Sequence, residues 1–599
     1  MCDSFTFGPR IAEHVVEFRL WAPLADSVRL RIEGRGEWEM LPRGDGWKAV
    51  EVPQALPGEL YRFILPDGRA VPDPASRFQP RDVHGPSELI DPVFDWQTSD
   101  WTGRPWEESV IYELHVGAFT HAGTFSGVIE RLDYLKRLGV TAIQLMPIGD
   151  FPGRRGWGYD GVLPYAPDSS YGRPEDLKRL VDAAHARGLC VLLDVVYNHF
   201  GPDGNHLTAY APIFSDHHKS AWGHGLNFDA EGSRFVREFV IQNALYWLGE
   251  FRMDGLRLDA VHAIKDDSNP HVLIELADCV RKAFPDRQIH LILENEENDS
   301  ALLARDAANR PRHFTAQWND DIHHALHVAA TGETFGYYGD YADYRPRLRR
   351  ALTEGFAFQG ETMAYSGRSR GMPSADLPPT AFVSFIQNHD QIGNRAKGDR
   401  MVAGHPMASM KAIAAIYLLS PQIPMLFMGE ELGSATPFPF FCDFDQALNS
   451  IVKIGRREEL KRLPGFDVDD APDPTLEETF LRAKLPWCDD GSARQFQEFY
   501  RQLIAVRHRA IIPLLARAQG QSAVSDQEGP LIRVKWQFGG AILRLVANLS
   551  DAIVATALPC PEEMLFVSGR RSNDAIDAWS VIWSLTFAHQ EAQAVSSER

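Results

Sequence analysis

Cysteine is scarce, with six in 599 residues (Cys2, Cys190, Cys279, Cys442, Cys488 and Cys560) and no C-x-x-C pair among them. That excludes a disulfide-built fold or a cysteine-ligated zinc module and fits free thiols in a reducing cytosol. Basic residues are fewer than acidic ones, 61 Lys and Arg against 81 Asp and Glu, for a net charge of −20. A deficit of that sign argues against a nucleic-acid partner, because such binders gain affinity by neutralising phosphates. Long apolar runs are missing too: nothing approaches the roughly 20 residues that cross a bilayer, so no membrane partner is expected. The opening Met1-Cys-Asp-Ser-Phe5 lacks both the basic and the apolar part of a secretion signal, and the expectation is a cytoplasmic protein. No G-x-G-x-x-G follows a strand-like run and no G-x-x-x-x-G-K-[ST] occurs. The phosphate cradles of nucleotide binders are therefore absent.

What is present is ordinary globular composition, 44% hydrophobic and 24% charged, in a chain long enough for several cores. Residues 1–105 read as β-rich: Val15–Trp21, Val28–Ile32 and Tyr61–Leu65 are strand-like and separated by turn signals such as Gly44-Asp-Gly46. A small sandwich is expected there, followed by a stiff extended connection through Pro72, Pro74, Pro80, Pro86 and Pro92. From residue 106 to about 515, short apolar runs alternate with amphipathic stretches. Eight such runs can be counted: Val110–Leu114, Val140–Met146, Leu189–Val195, Gly255–Asp259, Ile289–Leu293, Phe314–Trp318, Ala381–Ile386 and Pro424–Met428. Eight βα units in one block favour a closed (β/α)8 TIM barrel of the α/β class over an open sheet. The stretch at about 200–230, after the third run, is long for a connection and reads as a functional insertion. Residues 516–599 turn β-like again at Leu531–Phe538, Ala541–Asn548 and Ile553–Ala557, giving a second flanking β-sandwich.

Barrel strands are buried on both sides, so charged residues at their C-terminal ends need a reason. Four runs carry them: Asp194 to His199, Arg257 and Asp259 with His262, Glu294, and Asn388-His389-Asp390. Residues two apart on a strand share a face, which puts Arg257 beside Asp259 and holds that carboxylate ionised. Glu294 follows three aliphatic residues, and desolvation should raise its pKa. One charged and one protonated carboxyl group is the pairing that glycoside hydrolysis uses. A single acid at a strand end reads as a cap or loop hydrogen-bonder, whereas four ends together read as an active site.

Asp320-Asp321-Ile-His323-His324-Ala-Leu-His327 places two histidines at metal-ligand spacing on a helix. The intervening Glu of a metalloprotease motif is missing, and a polar, substrate-facing helix start suits it better. Gly156-Trp-Gly-Tyr159-Asp-Gly161 is either a turn with packed aromatics or a stacking platform for a pyranose face. Phe438–Phe441 leaves the same two readings open.

At these residues the chain resembles the α-amylase family, glycoside hydrolase family 13. Asp194-Val-Val-Tyr-Asn-His199, Gly255-Leu-Arg-Leu-Asp259, Glu294 and Asn388-His-Asp390 match that family's signature segments in order, and Leu226-Asn-Phe-Asp229 resembles a further one. The resemblance implies Asp259 as nucleophile, Glu294 as general acid/base and Asp390 as the stabiliser of the distorted sugar. It implies substrate contacts from Tyr159, His199, Arg257, His262, His389, Trp318 and Asp321. Phe18-Arg-Leu-Trp-Ala-Pro23, Asn243–Leu248, Asp254–His262, Ala316–Asp321 and the Phe441-Cys-Asp-Phe444 and Gly455–Glu459 phrases look like the subgroup that releases trehalose from malto-oligosyltrehalose. Debranching and branching relatives acting on α-1,6 bonds share the same plan. A binding protein that kept only the barrel should have lost one of the three acids, and all three are present. Many family members bind calcium near the segment matching Asn198, but 200–229 shows no clear set of partner carboxylates. No metal and no cofactor is expected.

Overall fold

The computed structural model describes residues 5–220, 223–461, 471–487, 491–526, 528–556, 563–569, 571–572 and 574–587. Cys2, Cys488 and Cys560 lie outside them; Cys190, Cys279 and Cys442 are free thiols.

Eight parallel strands close into a barrel: β1 (Ile111–Leu114), β2 (Ala142–Leu145), β3 (Cys190–Val195), β4 (Gly255–Leu258), β5 (His290–Leu293), β6 (Ala316–Trp318), β7 (Phe382–Ser384) and β8 (Ile423–Phe427). Each falls within or next to one of the eight runs read from the sequence, because strands buried on both faces leave near-continuous apolar text. Adjacent strands are in register without slippage where the site forms, Asp194 against Arg257 and Arg257 against Ile292.

Helices pack outside the barrel: α1 (Pro174–His185), α2 (Ser233–Gly249), α3 (Val272–Ala283), α4 (Asp320–Thr331), α5 (Tyr344–Glu354), α6 (Met407–Leu419) and α7 (Gly491–Val506). Helix α1 shows why. Pro174 opens it with φ already set, and the Asp176 carboxylate accepts from Arg173 N at 2.8 Å. Leu177, Leu180, Val181 and Ala184 then fall on one buried face. Helix α6 is buried nearly all round, as a helix must be when the barrel lies on one side and a sheet on the other.

That sheet is C-terminal: Ala523–Ser525, Ile532–Phe538, Ala541–Asn548, Ser580–Phe587 and Glu563–Ser568, in that order, with a three-stranded sheet beside it. Leu531, Ile576 and Ile582 fill the space between the two. Trp583 Nε1 donates to Ala415 O of α6 at 3.0 Å and Trp536 Nε1 to Leu352 O of α5 at 3.2 Å, which ties the sheet to the barrel.

At the N-terminus a four-stranded and a five-stranded antiparallel sheet face each other, with Phe18 of Val15–Trp21 edge-on to Tyr61 of Leu60–Ile64 at 4.9 Å between ring centres. The proline-rich stretch after them is not extended. Glu88 N bonds back to Phe78 O, Ser87–Glu88 pairs with Leu60–Ile64, and Phe78, Val83 and Leu89 are buried. Its apolar side chains pull it onto the sandwich, which outweighs the stiffness of its prolines. The insertion after β3 carries the hairpin Phe214–Ser220 and Gly223–Leu226.

Candidate active site

The C-terminal ends of β3, β4 and β5 converge on one guanidinium. Arg257 of β4 is fully buried, and its Nη1 donates to both Asp194 oxygens at 2.9 and 2.8 Å and to Asp259 Oδ1 at 2.7 Å. Its Nη2 lies 3.8 Å from Glu294 Oε2 on the neighbouring strand. The sequence reading gave Glu294 no basic neighbour; barrel closure supplies one from β4. Beneath the guanidinium, the Trp318 ring centre is 4.2 Å from Arg257 Cζ, a cation–π contact in a desolvated place.

Asp259 is held from its other side. Asn198, just after β3, donates through Nδ2 to Asp259 O at 3.1 Å and to Asp259 Oδ2 at 2.8 Å, while its oxygen bonds His199 Nδ1. The next residue, Ala260, takes a left-handed conformation at φ 40° and ψ 49°. For a residue with a Cβ this costs about 1 kcal/mol or more. It aims the Ala260 N–H at Glu294 Oε2, 2.7 Å away. Burial raises the pKa of Glu294, Arg257 opposes and Asp259 raises it further, so its direction is the one read from the sequence.

After β7, Asn388 caps a short helix, His389–Gly393, by accepting from Gln391 N at 2.9 Å. The fully buried His389 bonds Glu113 Oε1 of β1 through Nδ1 at 2.7 Å and the Tyr159 hydroxyl through Nε2 at 2.7 Å. Burial works against a charge on His389, but Asp390 and Glu113 outweigh it and lift the pKa to about 9. Asp390 itself faces out, with its side chain 43% exposed and an oxygen 3.5 Å from His389 Nε2. Tyr159 stacks on His389 at 5.1 Å and donates to Asp194 Oδ2 at 2.8 Å. Gly158, at φ +96°, lets this loop turn: a Cβ there would stand 2.0 Å from Pro147 O.

The site residues expected from the sequence separate into two groups. Tyr159, His199, Arg257, Asp259, Glu294, His389 and Asp390 come together as described. His262 stands beside them, accepting from Glu296 N at 3.3 Å. Trp318 and Asp321 do not face a substrate. Trp318 is 1% exposed and lies under Arg257. Asp321 is fully buried, accepting from Ala357 N at 2.6 Å and pairing with Arg370 at 3.2 Å, because the first turn of α4 points it away from the barrel mouth. The carboxylate turned toward the site is its neighbour Asp320, reached by Gln391 Nε2 at 3.4 Å and pushed up to about 7 by burial and by Glu294.

Glu113 was missed altogether. A charge in the middle of the first run, Val110–Leu114, was the available signal. Of the aromatic loop, Trp157 is buried against Phe438 at 5.5 Å, and Phe438 and Phe441 are core. Tyr159 bonds into the site, while Trp157 meets it edge-on at His389, 5.5 Å between ring centres.

The two histidines of α4 at metal-ligand spacing, His323 and His327, are occupied by other partners. His323 Nδ1 bonds Ile386 O at 2.8 Å, and His327 bonds Glu333 at 2.8 Å and stacks on Tyr338. Asn198 donates to Asp259 through its amide nitrogen and bonds His199 through its oxygen. Among the described residues one three-member group of potential metal ligands comes together, His218, Asp229 and Asp267 near the insertion, within which His218 and Asp229 form an ion pair at 2.7 Å.

Comparison with known proteins agrees with this geometry. The family model "Alpha amylase, catalytic domain" matches residues 91–222. A malto-oligosyltrehalose trehalohydrolase of Saccharolobus solfataricus is 44% identical over 503 residues, covering 84% of this chain and 87% of that protein. One of Deinococcus radiodurans is 40% identical over 581 residues, covering 94% and 93%. Among solved structures, a candidate alpha amylase of Salmonella typhimurium superposes with a TM-score of 0.94 at 45% identity, over 97% of this chain and 100% of that one.

Proposed function

The chain belongs to the malto-oligosyltrehalose trehalohydrolases of the α-amylase family, and from that premise we propose that it cleaves the α-1,4-glucosidic bond next to the terminal trehalose of malto-oligosyltrehalose, releasing trehalose and a maltodextrin. The observation that carries this reading is the Arg257 guanidinium, which gathers Asp194, Asp259 and Glu294 at one barrel mouth.

The chemistry is a retaining double displacement. Asp259 attacks the anomeric carbon while Glu294 gives its proton to the departing trehalose oxygen. Water deprotonated by the ionised Glu294 then releases the maltodextrin. Each partner supports its role. Arg257 and Asn198 fix Asp259 with one oxygen each, Oδ1 and Oδ2. Burial keeps Glu294 protonated to higher pH, and the Ala260 N–H occupies Oε2, which leaves Oε1 to carry the proton. Asp390, the exposed acid, grips hydroxyls of the distorted ring. His199 bonds the sugar at the cut, and His389, its ring nitrogens taken by Glu113 and Tyr159, holds the Tyr159 ring that stacks under it. Retention needs the two carboxyl carbons about 5–5.5 Å apart.

Hydrolysis of maltotriosyltrehalose and of maltopentaose, in parallel, tests the reading. Trehalose release from the first with strong preference over cleavage of the second is expected. Equal rates on both, or cleavage of α-1,6 branches in amylopectin, would overturn it.

A further inference from the structure

A second cavity lies at the opposite end of the barrel from the carboxylates. It measures about 870 Å3 and opens where β5, β6 and β7 begin, between His290, Thr315 and Thr380, with the 515–519 segment as its far wall. Arg281, Arg305, Arg310, Arg312 and Arg517 line it, against the acids Glu107 and Asp306. Asp306 is already paired with Arg310 at 2.8 Å. In a chain of net charge −20 this is a concentration of the opposite sign.

Two of the arginines are fixed by neutral oxygens. Arg281 donates to Ile289 O at 2.6 Å, His313 O at 3.0 Å and Thr315 Oγ1 at 3.2 Å. Arg305 donates to Leu303 O at 2.6 Å, Phe314 O at 3.1 Å and Thr315 O at 2.6 Å. A guanidinium has five N–H donors, so each keeps two beyond the three committed, and Arg281 Nε is buried without a hydrogen-bond partner. Carbonyls hold the guanidinium planes in place but leave their charge unneutralised. Burial, with Arg281 adding to it and Glu107 opposing, brings Arg305 down to about 10. Gln288, Asn309 and Gln519 add amide groups to the same wall.

We infer that this cavity binds a phosphorylated sugar, its phosphate among Arg281, Arg305, Arg312 and Arg517 and its hydroxyls on the amides. Planar guanidiniums suit a phosphate through paired, charge-assisted hydrogen bonds, and amides suit hydroxyls as both donors and acceptors. None of the residues lining the site is Asp259, Glu294 or Asp390.

Calorimetric titration of the full chain with glucose 6-phosphate, inorganic phosphate and glucose tests it. One site is expected, tightest for glucose 6-phosphate, weaker for phosphate, with no binding of glucose there. Glu294→Gln should leave that affinity unchanged, which separates this cavity from the barrel mouth. Arg305→Gln removes three carbonyl bonds and could unfold the loop, so the exposed pair Arg312→Gln and Arg517→Gln is the deciding variant, expected to bind glucose 6-phosphate about tenfold more weakly. No binding of glucose 6-phosphate, an unchanged affinity in that double variant, or loss of binding in Glu294→Gln would each overturn the inference.

Discussion

At the scale of single residues, the site depends on one arginine, whose Nη1 touches two of the acids around it and whose Nη2 lies near a third. Replacing Glu294 by Gln keeps its shape and its bond from Ala260 but removes the transferable proton. Turnover should fall by about 10²–10⁴-fold, with the circular dichroism and melting temperature of the native fold retained. Asp259→Asn should lose at least as much, since no covalent intermediate can form; wild-type turnover in either variant would refute these roles. His389 gives a pH-dependent test. Its pKa is raised above the ordinary 6.5, so the contribution of its charge is complete below that value and is lost as pH climbs through about 9. Glu113→Gln removes the partner at 2.7 Å and should lower the pH at which the His389 ring loses its proton, read by NMR titration of that imidazole. An unshifted titration would show that Glu113 does not hold the charge on His389. The three acids, Arg257 and the two histidines were legible because charge on a buried strand end has few structural excuses. The resemblance points to Asp321, but the first turn of the helix buries that carboxylate on Ala357 and Arg370 and turns its neighbour Asp320 toward the site.

At the scale of elements, local geometry sets the site. Gly158→Ala would force a methyl group to within 2.0 Å of Pro147 O and require a left-handed alanine. The loop must move, carrying Tyr159 off His389. The expected result is a raised KM and a lower melting temperature; unchanged values for both would contradict the role given to this turn. Strand β8 leads into Glu430, 3% exposed, whose Oε1 accepts from Tyr417 of α6 at 2.5 Å and Tyr500 of α7 at 3.0 Å. Burial raises its pKa to about 7. Between about 4.5 and 7 the folded chain therefore holds a proton the unfolded chain has lost, and this group makes stability decline as pH rises across that window. Glu430→Gln keeps both tyrosine bonds and should be more stable than wild type at pH 8 by on the order of 1–3 kcal/mol, with little difference at pH 4.5, measured by urea denaturation. The barrel strands were readable because they are aliphatic throughout. Glu563–Ser568 and Ser580–Phe587 were not identified: they pair across a long separation, through β-bulge irregularities near Met564, which short-range pattern does not reveal.

At the scale of the whole molecule, the C-terminal sheet is docked onto the barrel through two stacked indoles, Trp536 and Trp583, with ring centres 5.5 Å apart and each bonded to a barrel helix. Trp583→Ala should cost about 3–5 kcal/mol and lower the melting temperature, while the catalytic constants of the folded fraction stay near wild type, because the indole is remote from Arg257. A large loss of kcat in the folded fraction would tie the sheet to the chemistry instead. The central claim, that Asp259 and Glu294 act as a retaining pair on the bond beside trehalose, is tested most directly by following maltotriosyltrehalose hydrolysis by proton NMR from the first seconds. Trehalose together with maltotriose born as the α-anomer, and equilibrating only later, is the expected spectrum. Maltotriose appearing first as the β-anomer, or products that leave trehalose attached to glucose units, would contradict it.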